Sequence, residues 1–252
     1  MSLYGALAPL GEYFTVDRVP DEPSDPPLAE LYAGHPDLLR YVHQVAASLH
    51  TDEPRVGASI LVQGLAARLW SVVAGCALLY DRMPDLAPAT TWWAPRRNGG
   101  RLRLSPRPDL PDAPDLRAAP EPPSALDLPD AQILERSALP HHGEAVYHRV
   151  VETHLVGLVT AVQTHVKIPD ALLWGNAASA LVGSISVLVR ARPDLETAGV
   201  RLVEDMFTRP ALAGTGEPPT LNGFVRTSCC LYYRVPGGGL CGDCPLSRQP
   251  AG

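Results

Sequence analysis

The chain has 252 residues, 46% of them apolar, which is room for one large domain or two small ones around a full hydrophobic core; it does not need cysteine crosslinks in order to fold. Its 21 basic and 27 acidic residues give a net charge of -6, with no block of like charge. That balance excludes a nucleic-acid partner, because neutralising phosphates requires a basic face that the sequence does not carry.

The N-terminal stretch MSLYGALAPLGEYFTVDR has no basic n-region and no sustained apolar core before Glu12, unlike a secretory signal. It predicts a cytoplasmic protein, a setting in which clustered cysteines serve metal or redox chemistry ahead of permanent disulfides. Residues 36–50 carry Leu38, Leu39, Val42 and Val45 at helical spacing, with a proline in the first turn. Residues 55–82 place Leu61, Leu65, Leu69, Val73, Cys76 and Tyr80 on one ridge with few charges around the wheel, as in a helix buried on most sides. Cys76 reads as a small core residue.

Residues 89–105, ATTWWAPRRNGGRLRLS, read as a hairpin: Asn98-Gly99 signals a type I′ turn, and Arg101 to Leu104 alternates with period two. Pro95 makes the first arm an edge or short strand. Trp92 and Trp93 should point to opposite faces, so at most one should cover the core. Residues 106–129 contain eight prolines in twenty-four positions and read as a connector.

Three further helices are expected at about 143–167, 169–191 and 194–208. On the first, Glu144, His148 and Glu152 share a ridge with His141 and His142 just before it; a second metal site is conceivable there, but a solvated face is the simpler reading. The second holds nineteen uncharged positions, 171–189, just long enough to cross a bilayer. Asn176, Ser179, Gly183 and Ser186 recur along it opposite Trp174, Ala178, Leu181, Ile185 and Leu188, and Arg190 follows. A buried helix with a small polar second face fits better than a membrane span. There is no P-loop, G-x-S-x-G or H-E-x-x-H pattern.

Four of the five cysteines lie in SCCLYYRVPGGGLCGDCPL, residues 228–246, with the spacing C-C-x10-C-x2-C. Gly242 and Asp243 let the last two sulfurs turn toward one centre. In an extended segment the adjacent Cys229 and Cys230 would point apart, which suits a two-metal cluster or a bent backbone. Gly237 to Gly239 would let backbone N–H groups approach inorganic sulfide, Pro245 would end the knuckle, and Arg226 and Arg234 add positive charge that raises a reduction potential. Spacing alone leaves an iron–sulfur cluster, a structural zinc and a disulfide pair open.

Residues 226–246, RTSCCLYYRVPGGGLCGDCPL, resemble the C-terminal signature of FhuF-type ferric siderophore reductases. LLWGNAASAL at 172–181 and the helical stretch around Trp70 are similar in kind to that family's helical body, while residues 1–35 and 106–129 match nothing of it. The resemblance implies a [2Fe-2S] cluster on Cys229, Cys230, Cys241 and Cys244. It implies one-electron reduction of siderophore-bound Fe(III) to Fe(II), which releases iron in the cytoplasm or at the inner face of the membrane, with no integral membrane span. The implied partners are a ferric siderophore, for example of hydroxamate type, and an external electron donor such as a ferredoxin or flavin reductase. Arg226, Tyr232, Tyr233, Arg234 and Trp174 are the candidate substrate contacts, set against packing roles for the tyrosines and for Trp174. The expected architecture is α+β and predominantly α-helical: a helical body over 1–220 with a small β-hairpin, and a C-terminal iron–sulfur segment over 221–252. Two other readings stand beside it: a zinc-stabilised, non-enzymatic binding or scaffold protein, and a relative of the aerobactin-synthetase family, which lacks the cysteine signature.

Overall fold

Two long apolar helices organise the chain in a computed structural model that describes residues 3–18, 24–95, 102–104, 140–217 and 219–248. The first half runs through α1 (Leu3–Leu7), β1 (Val16–Arg18), α2 (Leu28–Tyr32), α3 (Asp37–Ser48), α4 (Pro54–Tyr80), β2 (Thr91–Trp92) and β3 (Leu102–Leu104). The second half has α5 (Pro140–Tyr147), a π-helical stretch His148–Leu155 that leads into α6 (Val156–His165), then α7 (Asp170–Ala191), α8 (Glu196–Thr208), β4 (Gly216–Glu217) and β5 (Val225–Arg226). The architecture is α+β and mainly helical, as the hydrophobic periodicity implies. The connector expected at 106–129 and the Asn98-Gly99 turn fall outside the described residues.

α4 begins with proline at a position where the missing N–H costs nothing, and it ends at Asp81, whose left-handed backbone (φ 52°) turns the chain while Arg82 N–H closes on the Cys76 carbonyl. Its sides pack on α3 and α7. Against α3 the approach is so close that a Cβ on Gly57 would strike the Val42 carbonyl. Against α7 the contact is polar at intervals. Gln63 donates to Ser179 Oγ (3.3 Å), Trp70 Nε1 to the Ala177 carbonyl (3.0 Å), and Ser184 Oγ to the Ala67 carbonyl (3.1 Å); Ser71 and Ser184 hydroxyls lie 3.0 Å apart. Apart from the long Trp70 side chain, which reaches back to Ala177, the numbers rise together from Ser59–Asn176 to Ser71–Ser184, so α4 and α7 run in the same direction.

Of the small polar set on 171–189, Asn176 and Ser179 lie in the seam between the two helices together with Ser184, whereas Gly183 is exposed and the Ser186 hydroxyl donates to the Val182 carbonyl. α4 and α7 are both long and apolar enough to cross a membrane, but 78% and 67% of their most apolar stretches are buried inside the protein. Cys76 is fully buried in the core, where burial pushes its thiol up to about 12.

The expected hairpin arms pair: β2 is antiparallel to β3, with Trp92 opposite Arg103. The sheet goes further than the sequence suggested, because β1 adds in parallel on the other side of β3, in the order β1-β3-β2. Arg103 is consequently enclosed, and its guanidinium binds Asp25 (2.7 Å), which also accepts from the Tyr41 hydroxyl (2.8 Å). Both Trp92 and Trp93 are buried, and of the two only Trp93 belongs to the main hydrophobic core, in line with the expectation that at most one covers it. β2 ends at Trp92, so strand alternation does not govern Trp93, which meets the Tyr41 ring edge-on. On the ridge after α5, the exposed His148 and Glu152 pair with each other at 2.7 Å.

The π-helical stretch turns Val150, Val151, His154 and Leu155 inward together. His154 Nδ1 lies 3.0 Å from the Tyr32 hydroxyl; burial, with Arg149 adding in the same direction, pushes the imidazole down to about 4. The unfolded chain binds a proton near 6.5 and the folded chain does not until about 4, so stability present above pH 6.5 is lost as the pH falls toward 4, by roughly 3 kcal/mol for this group. His154→Gln should flatten the stability profile of urea denaturation in that window; an unchanged slope between pH 6.5 and 4 would assign it to other groups.

Candidate metal centre

Residues 221–248 hold little regular structure, so backbone bends and side-chain contacts with the helices place the four cysteines. Cys229 and Cys230 precede Leu231, whose left-handed conformation (φ 67°) bends the chain and brings its N–H to 3.4 Å from Cys229 Sγ. Of the two possibilities raised by adjacent cysteines, the bent backbone is present. A short 3-10 turn, Tyr232–Arg234, follows. Gly237 then takes φ 69°, and a Cβ on Gly238 would press on the Tyr232 and Val235 carbonyls at 2.8 and 2.9 Å. These glycines are required by the loop's own backbone, which returns the chain toward Cys241. Cys244 N–H closes the C-x2-C knuckle on the Cys241 carbonyl (3.1 Å), and Pro245 opens a terminal 3-10 turn, Pro245–Arg248.

Cys230 and Cys244 are buried, whereas Cys229 and Cys241 are half-buried, so one side of the sulfur set faces outward. Cys230 and Cys241 Sγ are 3.6 Å apart. Two sulfurs each bonded at about 2.3 Å to one tetrahedral ion would be separated by about 3.8 Å, so this pair has the spacing that one metal centre requires. Among the described residues no three His, Cys, Asp or Glu side chains are gathered as ligands of a single ion. The donors occur as a close pair with two further thiols beside it, a set that can hold a two-iron cluster. Burial raises the Cys229 thiol, and it pushes Cys241 up to about 12 despite the opposing Arg226 charge. Binding a metal as thiolates therefore releases protons.

Arg226 is the centre of the polar structure beneath the sulfurs. Its backbone N–H donates to the Asp243 carbonyl (3.1 Å), and its side chain is completely enclosed. One terminal nitrogen donates to Asn176 Oδ1 (2.6 Å); the other donates to Cys241 Sγ (2.7 Å) and Asp243 Oδ1 (3.0 Å). Nε lies 2.9 Å from Asp243 Oδ2, an ion-pair approach at an angle that does not make a hydrogen bond. Burial works against the charge, but Asp243 and the sulfurs of Cys230 and Cys241 outweigh it and hold the guanidinium above its ordinary pKa.

Asn176 continues inward. Its amide donates to both the carbonyl and the hydroxyl of Ser59 (2.8 Å each), and the Ser59 hydroxyl donates to the Cys230 carbonyl (2.6 Å). The cysteine segment is thus fastened to α4 through Ser59 and to α7 through Asn176. A second attachment to α7 is the Ser228 hydroxyl, which donates to the Ala171 carbonyl (2.7 Å) over Gly175, where a Cβ would collide with it. Thr227 holds the segment to the chain before β4 through the Thr215 and Gly214 carbonyls (2.9 and 3.0 Å).

The expected substrate contacts separate into different environments. Arg226 is turned inward and has no surface for a soluble chelate to touch, which corrects its candidacy: its neighbours Asp243 and Asn176 take the guanidinium instead. Trp174 is partly buried and packs against the core. Arg234 is exposed and pairs with Glu53 just before α4 (2.8 Å). Tyr232 is half-buried, while Tyr233 and Leu240 are 47% and 53% exposed. Ser59, Ser228 and Asp243 were not singled out as site residues. A polar residue inside an apolar helix, as Asn176 and Ser59 are, signals a need for partners without saying which.

Asn176→Leu removes the acceptor for a buried guanidinium and should lower the unfolding free energy by about 2–3 kcal/mol, whereas Ser59→Ala, which loses neutral hydrogen bonds, should cost about 1–2 kcal/mol. Urea titration of anaerobically purified protein measures both. A loss below about 0.5 kcal/mol for Asn176→Leu, the size of an ordinary surface change, would contradict the relay.

Residues 226–246 match a family model described as the FhuF 2Fe-2S C-terminal domain. The match begins at Arg226 and takes in all four clustered cysteines and Asp243. No curated protein matches the chain. The match and the sulfur geometry concern the same twenty-one positions: residues 226–246 are similar to the FhuF 2Fe-2S C-terminal domain, and the cofactor to which this segment points is a [2Fe-2S] cluster.

Proposed function

We propose that this protein is a cytoplasmic ferric siderophore reductase in which Cys229, Cys230, Cys241 and Cys244 hold the cluster. Residues 1–220 supply the helical body, and 221–252 form the cluster-bearing segment. The observation that carries the reading is the FhuF-type match on a segment in which the Cys230 and Cys241 sulfurs lie 3.6 Å apart and Cys229 and Cys241 are half-buried. When bound, a [2Fe-2S] cluster supplies one electron to Fe(III) and is itself oxidised, after which an external donor of the ferredoxin or flavin-reductase class restores it.

The protein's own residues seat the cluster and leave its outer side accessible. Arg226, Ser59 and Asn176 fix the inner wall and keep water from it. Tyr233 and Leu240, exposed in the same segment, offer apolar surface against which the organic frame of a siderophore can lie. No proton donor is needed for the electron step. A siderophore holds Fe(III) through hard anionic oxygens, and Fe(II) is a softer, less charged ion that the same oxygens hold far less tightly, so reduction releases the metal.

Anaerobically purified protein should be red-brown, bleach on dithionite and give an EPR signal only when reduced. Colourless protein with one zinc per chain would instead support the zinc-stabilised scaffold reading and end this one. Cys241→Ser should abolish colour and reduction of a ferric hydroxamate together. Persistence of that reduction in cluster-free protein would show that the electron takes another route.

A further inference from the structure

We propose that Arg226 and Asp243 form a buried charge pair that sets the reduction potential from the Cys241 side, Arg226 raising it and Asp243 lowering it, with Asn176 as the clamp that aims the guanidinium. The inference rests on the iron–sulfur reading and assigns these residues a role in positioning and electrostatics, not in contact with substrate.

The geometry carries the assignment. Arg226 has three acceptors within 3.0 Å, and they lie on two sides: Asn176 Oδ1 on one, Cys241 Sγ and Asp243 Oδ1 on the other. If the residue served only to join the segment to α7, the Asn176 and Asp243 contacts would suffice, yet the fork also places an N–H on the sulfur. An N–H donated to a thiolate ligand, and a positive charge next to it, stabilise the state that carries the extra electron.

Which member of the pair dominates follows from exposure. The Arg226 side chain is 0% exposed, whereas the Asp243 side chain is 19% exposed and therefore more screened by solvent. Asp243 offsets the cation in part, and the remainder at Cys241 is positive. Its place between Cys241 and Cys244 holds that offset at a fixed distance, because the Asp243 carbonyl also accepts from the Arg226 backbone. Asn176 is pinned by its two bonds to Ser59, so the guanidinium cannot swing away from the sulfur without breaking a relay that reaches α4.

Redox titration of the anaerobically purified holoprotein, followed by EPR and visible absorption, tests this without any siderophore. Arg226→Gln should lower the equilibrium constant for one-electron reduction at least tenfold, a shift of about 59 mV to more negative potential. Asp243→Asn should move the potential the other way, and Arg226→Lys, which keeps the charge but loses the fork, should fall between wild type and Arg226→Gln. A merely structural pair would not give shifts of opposite sign. An unchanged or raised potential in Arg226→Gln, or an Asp243→Asn shift in the same direction as Arg226→Gln, overturns the proposal. If Arg226→Gln retains no cluster, Asp243→Asn decides alone, and absence of a rise refutes it. Normal potentials with no siderophore reduction would fail the reductase reading only; wild-type protein without a cluster would overturn both.

Discussion

A guanidinium without solvent is the constraint around which this protein is arranged. Leaving the Arg226 charge buried and unpaired would cost several kcal/mol, so every neighbour must present an acceptor to it. Asp243, Cys241 and Asn176 do so, and the demand passes on: Asn176 must be held by Ser59, and Ser59 in turn holds the Cys230 carbonyl. One charge thereby connects both halves of the cysteine motif with both core helices. The segment has few large apolar groups of its own, and this polar scaffold does for it what a hydrophobic core does for the rest of the chain.

The parallel course of α4 and α7 gives the scaffold its place. Parallel neighbours put their N-termini at the same end of the body, and the cysteine segment lies there, touching Glu53 and Ser59 on one helix and Ala171 and Asn176 on the other. The partial positive charge at helix N-termini favours anionic sulfur nearby, though it fades within a turn. Arg226 adds a full charge at closer range, and Asp243 limits it. Cys229 and Cys241 stay half-buried, and Tyr233 and Leu240 are exposed in the same segment. An electron carrier needs both properties, a fixed inner wall and a reachable outer edge.

Legibility in the sequence followed interaction range. The long helices are readable because apolar periodicity repeats over many turns, and of the small polar set on α7, Asn176 and Ser179 are the members that meet α4. β1 was not readable, since three residues, Val-Asp-Arg, carry no pattern until β3 lies beside them. The burial of both Trp92 and Trp93 depended on where β2 stops, a matter of one residue. Asn176 looked like core packing, and Arg226 like a surface charge near a metal. Each residue's role lies in the other, fifty positions away in the chain.

By itself, the sequence marked a candidate donor set: four thiols in the spacing C-C-x10-C-x2-C, with glycines where the chain must turn back. It also marked two helices that require apolar surroundings, and the packing supplies them: 78% and 67% of their most apolar stretches are buried inside the protein. The tertiary structure alone decided that Arg226 points inward, that Asp243 opposes it as a charge partner, and that Ser59 and Asn176 carry the connection into the core. Buried polar groups choose partners by proximity in space, and proximity between residues 59, 176, 226 and 243 exists only after the helices have packed.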